Sequence, residues 1–582
     1  MRSNYDKFPT TKIEGFDSQA WRGYDAIVAE LKKAINEGKY VLTADVYPGV
    51  FDDEIILQLQ KLNPALTINM FDIFKEEQTI TTQLKYNLTD DRVFGKMYWG
   101  DVIDFLDLEK LKEAKKQVEE CAGLVLVYGY GASLVHPGNT LVYFDMARWE
   151  IQMRYRAGMG NYKCSNYNED PLRKNKRGWF IEWRVADKHK EKLFDRIDYV
   201  VDTNVKDDPK MISGDAFRAA LKTIVNKPFR TVPYFDPGVW GGQWMKEVCD
   251  LDRKTKNFAW SFDGVPEENS LYFEFNGIRV EIPAMDLTLY QPKSFLGAEV
   301  YSRFGAEFPI RFDFLDTMGG QNLSLQVHPI SEYMKKQFGM PYTQDESYYI
   351  LDAKEDATVY LGLKENIDKD EMINDLRSAN RGEISFDAEK YVNRFPAKKH
   401  DHFLIPSGTC HCSGANAMVL EISATPYIFT FKLWDWDRVG LDGRPRPVHI
   451  EHGKEVIQWN RTTPWVKENL INSIHEVNRG EHFVEEHTGL HELELIETRR
   501  FWFDDITTHQ TNDNVSMLNV VEGQEVVIES PTNAFKPFVV HYAETFIIPA
   551  SVGEYTMRPH GEAEGKRVGV IKAYIRKMSQ DY

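Results

Sequence analysis

The chain has 582 residues, with 71 lysines and arginines against 89 aspartates and glutamates, for a net charge of −18 at pH 7. That length exceeds a single hydrophobic core and predicts about two to four domains. The acidic excess excludes a general nucleic-acid or anionic-membrane binder, and a composition that is 42% hydrophobic and 13% aromatic excludes a disordered chain.

The polar start MRSNYDKFPTTKIEGFDSQ has no secretory pattern, and no apolar run reaches spanning length, so the expected location is cytoplasmic with no membrane partner. Five scattered cysteines, Cys121, Cys164, Cys249, Cys410 and Cys412, fit a reducing compartment better than a disulfide framework. Residues 24–36 carry helical apolar spacing. KYVLTADVYPGVFDDEIILQLQKL reads as strand, turn at Tyr47-Pro48-Gly49, and helix. ALTINMFDIF predicts a strand and 108–121 a helix. GLVLVYGYGASLV is a continuous apolar run, as in a strand buried on both faces. TLVYFDMARWEIQMRYR predicts a strand and a helix, and IDYVVDTN a further strand. Alternating strands and helices predict an α/β domain with a mostly parallel sheet over residues 1–205. The basic group Arg154, Arg156, Arg173, Lys174, Lys176 and Arg177 reads as a solvated lid.

Residues 206–232 hold one amphipathic helix, capped near Ser213 or Asp215, and read as a linker. Beyond it, short strands recur every eight to twelve residues, the texture of antiparallel β structure. NSLYFEFNGIRVEIPAM, AEFPIRFDFLD, DATVYLGL, HDHFLIPSG and AMVLEIS are examples, interrupted by the helical DKDEMINDLRSANRG. FLIPSGTCH and TFIIPASVGEYTM share an apolar strand, Ile-Pro, a small-residue turn and a second strand. This repetition predicts a duplicated jelly-roll: a metal-binding barrel over 233–450, a partly helical connection over 451–492, and a metal-free barrel over 493–582.

Within the first barrel, Gln326 and His328 lie two apart on one predicted strand and so share a face. Glu346 falls on the next strand, and His411 follows the Ile-Pro turn. Two imidazoles, a carboxylate and an amide oxygen suit a divalent ion such as Zn²⁺. Cys410 and Cys412 flank His411 and read as packing residues. His482, His487 and His491 have spacing that fits no common ligand frame and read as a solvated linker.

Several ordered motifs, PYFDPGVWGGQWM, LSLQVHP, DESYYILDA, VYLGL, FLIPSGTCHCSG, VLEIS and WDWDRVGLDGRPRPVHI, resemble the cupin-type class I mannose-6-phosphate (phosphomannose) isomerases over roughly residues 230–580. The resemblance implies Gln326, His328, Glu346 and His411 as zinc ligands, a sugar phosphate as substrate, and aldose–ketose isomerisation. A bound cation would stabilise the negative enediolate. Lys432 aligns with the family's catalytic arginine and Arg438 lies nearby; these two are the expected catalytic cations. Glu421 in VLEIS is expected to orient the site, while His402 and His449 read as structural. The family's Gly-Lys-Thr-Glu run is Thr343-Gln344-Asp345-Glu346 here. Such changes also admit a sugar-phosphate sensor without turnover. The N-terminal order of elements resembles P-loop nucleoside kinases, uridine kinase in particular. Their phosphate loop is degenerate here: Thr43-Ala44-Asp45-Val46-Tyr47-Pro48-Gly49-Val50 has no lysine and a single glycine, and Pro48 removes a donor amide. Phosphotransfer by this domain is the third reading.

Overall fold

The computed structural model describes residues 4–577 apart from 37, 425, 426, 428, 442, 444, 445 and 490. Asp442, Arg444 and Pro445 of the WDWDRVGLDGRPRPVHI motif therefore lie outside the described residues. The chain forms two compact units, one of residues 10–223 with 270–291, the other of residues 1–9, 224–269 and 292 onward.

In the first unit a seven-stranded sheet runs, edge to edge, through Ala20–Arg22, Lys210–Ser213, Tyr199–Asp202, Thr140–Asp145, Tyr40–Val46, Leu124–Gly129 and Leu66–Asn69. The last five of these pair in parallel, and Lys210–Ser213 turns antiparallel. All seven residues of Tyr40–Val46 are buried, as expected of a central parallel strand covered on both faces. Helix Leu108–Glu120 starts where the Asp107 carboxylate accepts the amides of Glu109 and Lys110, and it buries the stripe Leu111, Ala114 and Val118.

This unit departs from the sequence reading in three places. The expected linker helix, Gly214–Ile224, continues directly from the sheet strand Lys210–Ser213, and the Ser213 hydroxyl accepts the Ala216 amide at 3.1 Å. Its Ala216, Phe217, Ala220 and Leu221 are fully buried, so most of the helix belongs to the unit and the division falls near residue 223 rather than 205. The hairpin Ser270–Phe275 and Ile278–Pro283, expected in the metal-binding barrel, pairs with Thr10–Lys12 and joins this unit instead. Only part of the basic group is a solvated lid: Arg156 and Arg173 reach the surface, but Arg154, Lys174, Lys176 and Arg177 are buried. Lys174 is buried and donates to the carbonyls of Tyr155, Met159 and Tyr167 at 2.9–3.0 Å; Arg177 pairs with Glu182 at 2.9 Å; Arg154 bonds the carbonyls of Gly49 and Thr203. Such cations hold the fold, because buried charges persist only where they are paired.

The second unit contains two antiparallel two-sheet barrels. In the first, a six-stranded sheet (His402–Ile405, Asp345–Ala353, Ala417–Ala424, Arg311–Asp316, Trp260–Gly264, Tyr234–Asp236) accompanies a five-stranded one (Val392–Pro396, Thr358–Leu363, His411–Ser413, Leu325–Val327, Phe431–Trp434). Helix Lys369–Asn380, capped by Asp368, interrupts it. In the second, six strands (His475–Arg479, Phe483–His487, Ile496–Phe503, Val568–Ile575, Ser516–Glu522, Thr545–Ile548) accompany four (Thr507–Gln510, Glu554–Pro559, Glu525–Glu529, Phe538–His541). One core of Phe501, Phe503, Leu518, Val526, Ile528, Tyr555, Met557 and Val570 is drawn from both of these sheets. The connection over 451–492 does hold two helices, Ile450–Val456 and Thr463–Asn469, but its last two strands extend the second barrel's larger sheet.

The Ile-Pro corners correspond. His402–Ile405 and Thr545–Ile548 each form one edge of a six-stranded sheet, and each passes through its turn into the facing sheet, at His411–Ser413 and Glu554–Pro559. In the first corner Gly408 adopts φ +88, and a Cβ there would meet the Val456 carbonyl oxygen at 2.8 Å. Its amide donates to the His328 carbonyl at 2.8 Å. This turn therefore ties the strand carrying His411 to the segment carrying His328.

Candidate metal centre

Leu325–Val327 is the middle of three short strands. Gln326 sits directly opposite His411 on one neighbour and Lys432 on the other. Cross-strand partners project to one face, so Gln326, His411 and Lys432 share the inward side. Glu346 comes from the facing sheet, on a strand paired at this point with Ile405 and Ser423. One nitrogen from each of His328 and His411 and one Glu346 oxygen lie within 4.8 Å of one another, and all three residues are fully buried. Among the described residues this is the one group of three or more such side chains that converges.

Hydrogen bonds fix the tautomers. His328 Nδ1 lies 2.8 Å from the Phe429 carbonyl oxygen, and His411 Nδ1 lies 2.8 Å from that of Thr409. A carbonyl can only accept, so both Nδ1 atoms carry the proton, and in the neutral ring Nε2 is left with a lone pair. These lone pairs face the Glu346 carboxylate, at 3.0 Å for His328 and 2.7 Å for His411. Acceptors turned toward one another in a buried site repel unless positive charge lies between them. Burial alone would push the Glu346 carboxyl up, yet His328 and His411 hold it well below its usual range; burial would push the His328 imidazole down, yet Glu346 raises it, so without a cation a proton on the imidazole would supply the positive charge. A donor set of two imidazoles and a carboxylate fits a zinc-type cation, with each Nδ1–H held by an outer partner.

Further groups orient this set. Gln344 Nε2 donates to Glu346 Oε2 at 3.1 Å, while its own oxygen accepts the Phe429 amide at 2.8 Å. Glu421 is buried, and desolvation first, then Glu346 and Asp313, push its carboxyl well up. The Tyr348 ring meets His411 edge-on. Gln326 Nε2 is 3.2 Å from His411 Nε2, and rotating the amide by half a turn would present its oxygen there instead.

Arg438 is engaged elsewhere: it donates to the Asp435 carboxylate at 2.8 Å, the Asp435 carbonyl at 3.0 Å and the Asn322 carbonyl at 2.8 Å. His402 is buried beside the Ser347 hydroxyl at 2.8 Å, and desolvation pushes it down to about 3, the behaviour of a structural imidazole. Cys410 and Cys412 are buried, and all five cysteines are free. His482, His487 and His491 do not converge; His482 pairs with Asp504 and His487 with Glu497. Motif reading treated Gln344 only as a departure and missed Arg311. The latter, buried, bonds Asp313 at 2.9 Å, and its Nη atoms have no hydrogen bond among the described residues, Glu268 lying 3.8 Å away. Registers Arg311↔Ser423 and Glu346↔Ser423 put Arg311 on the same sheet face as Glu346. Only strand pairing reveals that relation, which no local spacing encodes.

A family described as a domain of unknown function (DUF8485) matches residues 23–226. The chain is also similar to curated isomerases. It is 27% identical over 236 residues to mannose-6-phosphate isomerase ManA of Bacillus subtilis, covering 40% of this chain and 69% of that protein. It is also 27% identical over 256 residues to the probable mannose-6-phosphate isomerase GmuF of the same organism, covering 44% and 73%. Among solved structures, the mannose 6-phosphate isomerase of Bacillus subtilis aligns with 60% of this chain and 99% of its own, at 19% identity and a TM-score of 0.48.

Proposed function

We propose that this protein is a metal-dependent aldose–ketose isomerase of a sugar phosphate, with mannose 6-phosphate and fructose 6-phosphate as the substrate pair. The observation that carries the reading is the inward-facing acceptor set of His328, Glu346 and His411, whose tautomers are fixed from behind. Similarity to the curated isomerases supplies the substrate class. Gln326 is proposed as the fourth ligand. A divalent ion held there would supply positive charge against the negative charge that develops on the sugar's oxygens as the proton next to the carbonyl is removed.

The chain's own residues do the rest. Glu346 is held by Gln344, so its position is set before substrate arrives. Lys432, in register with Gln326, is proposed to stabilise the developing oxyanion. Arg438 is assigned to anchoring the Asp435 turn, because three of its N–H groups are already committed. Purified protein assayed for hexose-phosphate interconversion tests this: His411→Ala should abolish turnover and zinc retention together. Full activity in that variant would refute the reading.

A second reading, sugar-phosphate sensing without turnover, is favoured by one observation: the neutral Gln344 occupies the place of the family's lysine beside Glu346. Calorimetric binding of mannose 6-phosphate with no interconversion would select it. The N-terminal unit is proposed to keep a kinase-like sheet without phosphotransfer. Supporting this, the buried Asp45 carboxylate ends the central strand and accepts the amides of Gly131 and Ser133 at 2.9 and 3.0 Å, leaving a negative charge where a phosphate binder needs donors. The basic Lys190 there is consumed by Asp145 and Asp286.

A further inference from the structure

The interior of the second barrel changes character along its length. Phe501, Val520 and Val570 face one another in the apolar core. Two residues along each strand the same inward rows continue as Arg499, Leu518 and Lys572, and then Ser516 opposite Tyr574. With His509 and Gln510, these polar positions line a cavity of about 310 Å³. That volume lies at the lower end of the range for small-molecule sites.

Its wall carries Arg499, Lys572 and Lys577 against Glu485 and Glu497. Glu497 is already met by His487, Arg499 and Arg576 at 3.1, 2.9 and 3.3 Å. Lys572 is only 7% exposed, yet among the described residues no carboxylate pairs with it. Its ammonium reaches only the Tyr555 hydroxyl at 3.2 Å and the Gln510 carbonyl at 3.4 Å. Burial pushes this amine down to about 8 while the facing Glu485 carboxylate raises it by less, so near pH 7 it is a desolvated cation whose nearest carboxylate is not in ion-pair contact. Burial likewise pushes His509 down to about 3, leaving a neutral ring bonded to Thr507. A leucine or methionine at 572 would suit the neighbouring core better, so the lysine is costly to the fold where it stands.

We infer that this mouth is a second binding site, separate from the metal centre, for a small hydroxylated anion of the sugar-phosphate or sugar-acid class. Lys572 meets the anionic group, Ser516 meets a hydroxyl, and the Tyr574 ring covers the apolar face of the sugar. The site is built whether or not the metal centre turns over.

Titration calorimetry on the full chain tests it, with glucose 6-phosphate, gluconate, inorganic phosphate and glucose as probes. At least one of the two hydroxylated anions should bind more tightly than phosphate or glucose, and His411→Ala should retain that binding. Lys572→Met should weaken it at least tenfold while the melting temperature without ligand stays level or rises. Ser516→Val, which narrows the cavity and leaves every charge in place, should weaken the same probe and decides the matter if Lys572→Met does not fold. Binding lost in His411→Ala but unchanged in Lys572→Met and Ser516→Val would overturn the inference by placing the ligand at the metal centre. So would phosphate binding as tight as the sugar anions, or no binding of any probe.

Discussion

Two backbone carbonyls, those of Phe429 and Thr409, decide which ring nitrogen of each histidine faces Glu346. Gln344 then fixes the carboxylate itself, and partners of this outer kind typically contribute about 10- to 100-fold to metal affinity. Gln344→Ala should therefore weaken zinc binding by about that factor, read by competition with a chromogenic chelator, while the fold stays intact. For Lys432, Lys432→Met should lower kcat with metal content unchanged, and Lys432→Arg should retain turnover; equal kcat in Lys432→Met and wild type would remove the residue from the chemistry. Lys572 gives a pH dependence. Its folded pKa of about 8 lies below the unfolded value of about 10.4, so between them the unfolded chain binds more protons and stability rises with pH. Lys176 and Lys227 are pushed down to about 8 as well, so Lys572→Met should reduce that rise in urea unfolding between pH 8 and 10 without removing it. At this scale the convergence of His328, Glu346 and His411 was legible because ligand chemistry restricts residue type. Arg311 and the role of Gln344 were not, because they depend on which strands pair.

The first Ile-Pro corner makes the centre possible. Gly408 needs a left-handed backbone and has the Val456 carbonyl against its α-carbon, while its amide holds the His328 carbonyl. A non-glycine residue in such a conformation costs about 1–3 kcal/mol. Gly408→Ala should lower the unfolding free energy by about that much and weaken metal binding as the two histidine segments part, measurable by urea titration and chelator competition. The turn was readable from its repeated sequence, as were the buried parallel strands from their unbroken apolar runs. The three-residue strand Thr10–Lys12 was not, since its role rests on parallel pairing with Tyr272–Glu274 far away in sequence. The same remote pairing moved the 270–283 hairpin out of the barrel in which local texture had put it.

Across the second unit, the two barrels are joined by a buried charge cluster. Arg230 pairs with Glu544 at 2.8 Å and Asp263 at 3.3 Å, and Asp263 in turn accepts the Thr545 amide at 2.9 Å. Beside it Phe229 and Ile547 exchange backbone bonds in both directions. Removing one partner leaves buried carboxylates uncompensated, so Arg230→Met should destabilise the protein by about 3–5 kcal/mol in denaturant unfolding. A loss under about 1 kcal/mol would mean that water reaches the cluster and screens it. Among the described residues no helix is long and apolar enough to cross a membrane.

The central claim is that His328, Glu346 and His411 hold a divalent cation that drives sugar-phosphate isomerisation. The rate of mannose 6-phosphate to fructose 6-phosphate conversion, measured on zinc-loaded protein, on chelator-stripped protein and after zinc is returned, tests it most directly. The account predicts turnover in the first, its loss on stripping, and recovery on readdition. A zinc-loaded protein that leaves the sugar unchanged, or a stripped one that converts it equally fast, would contradict it.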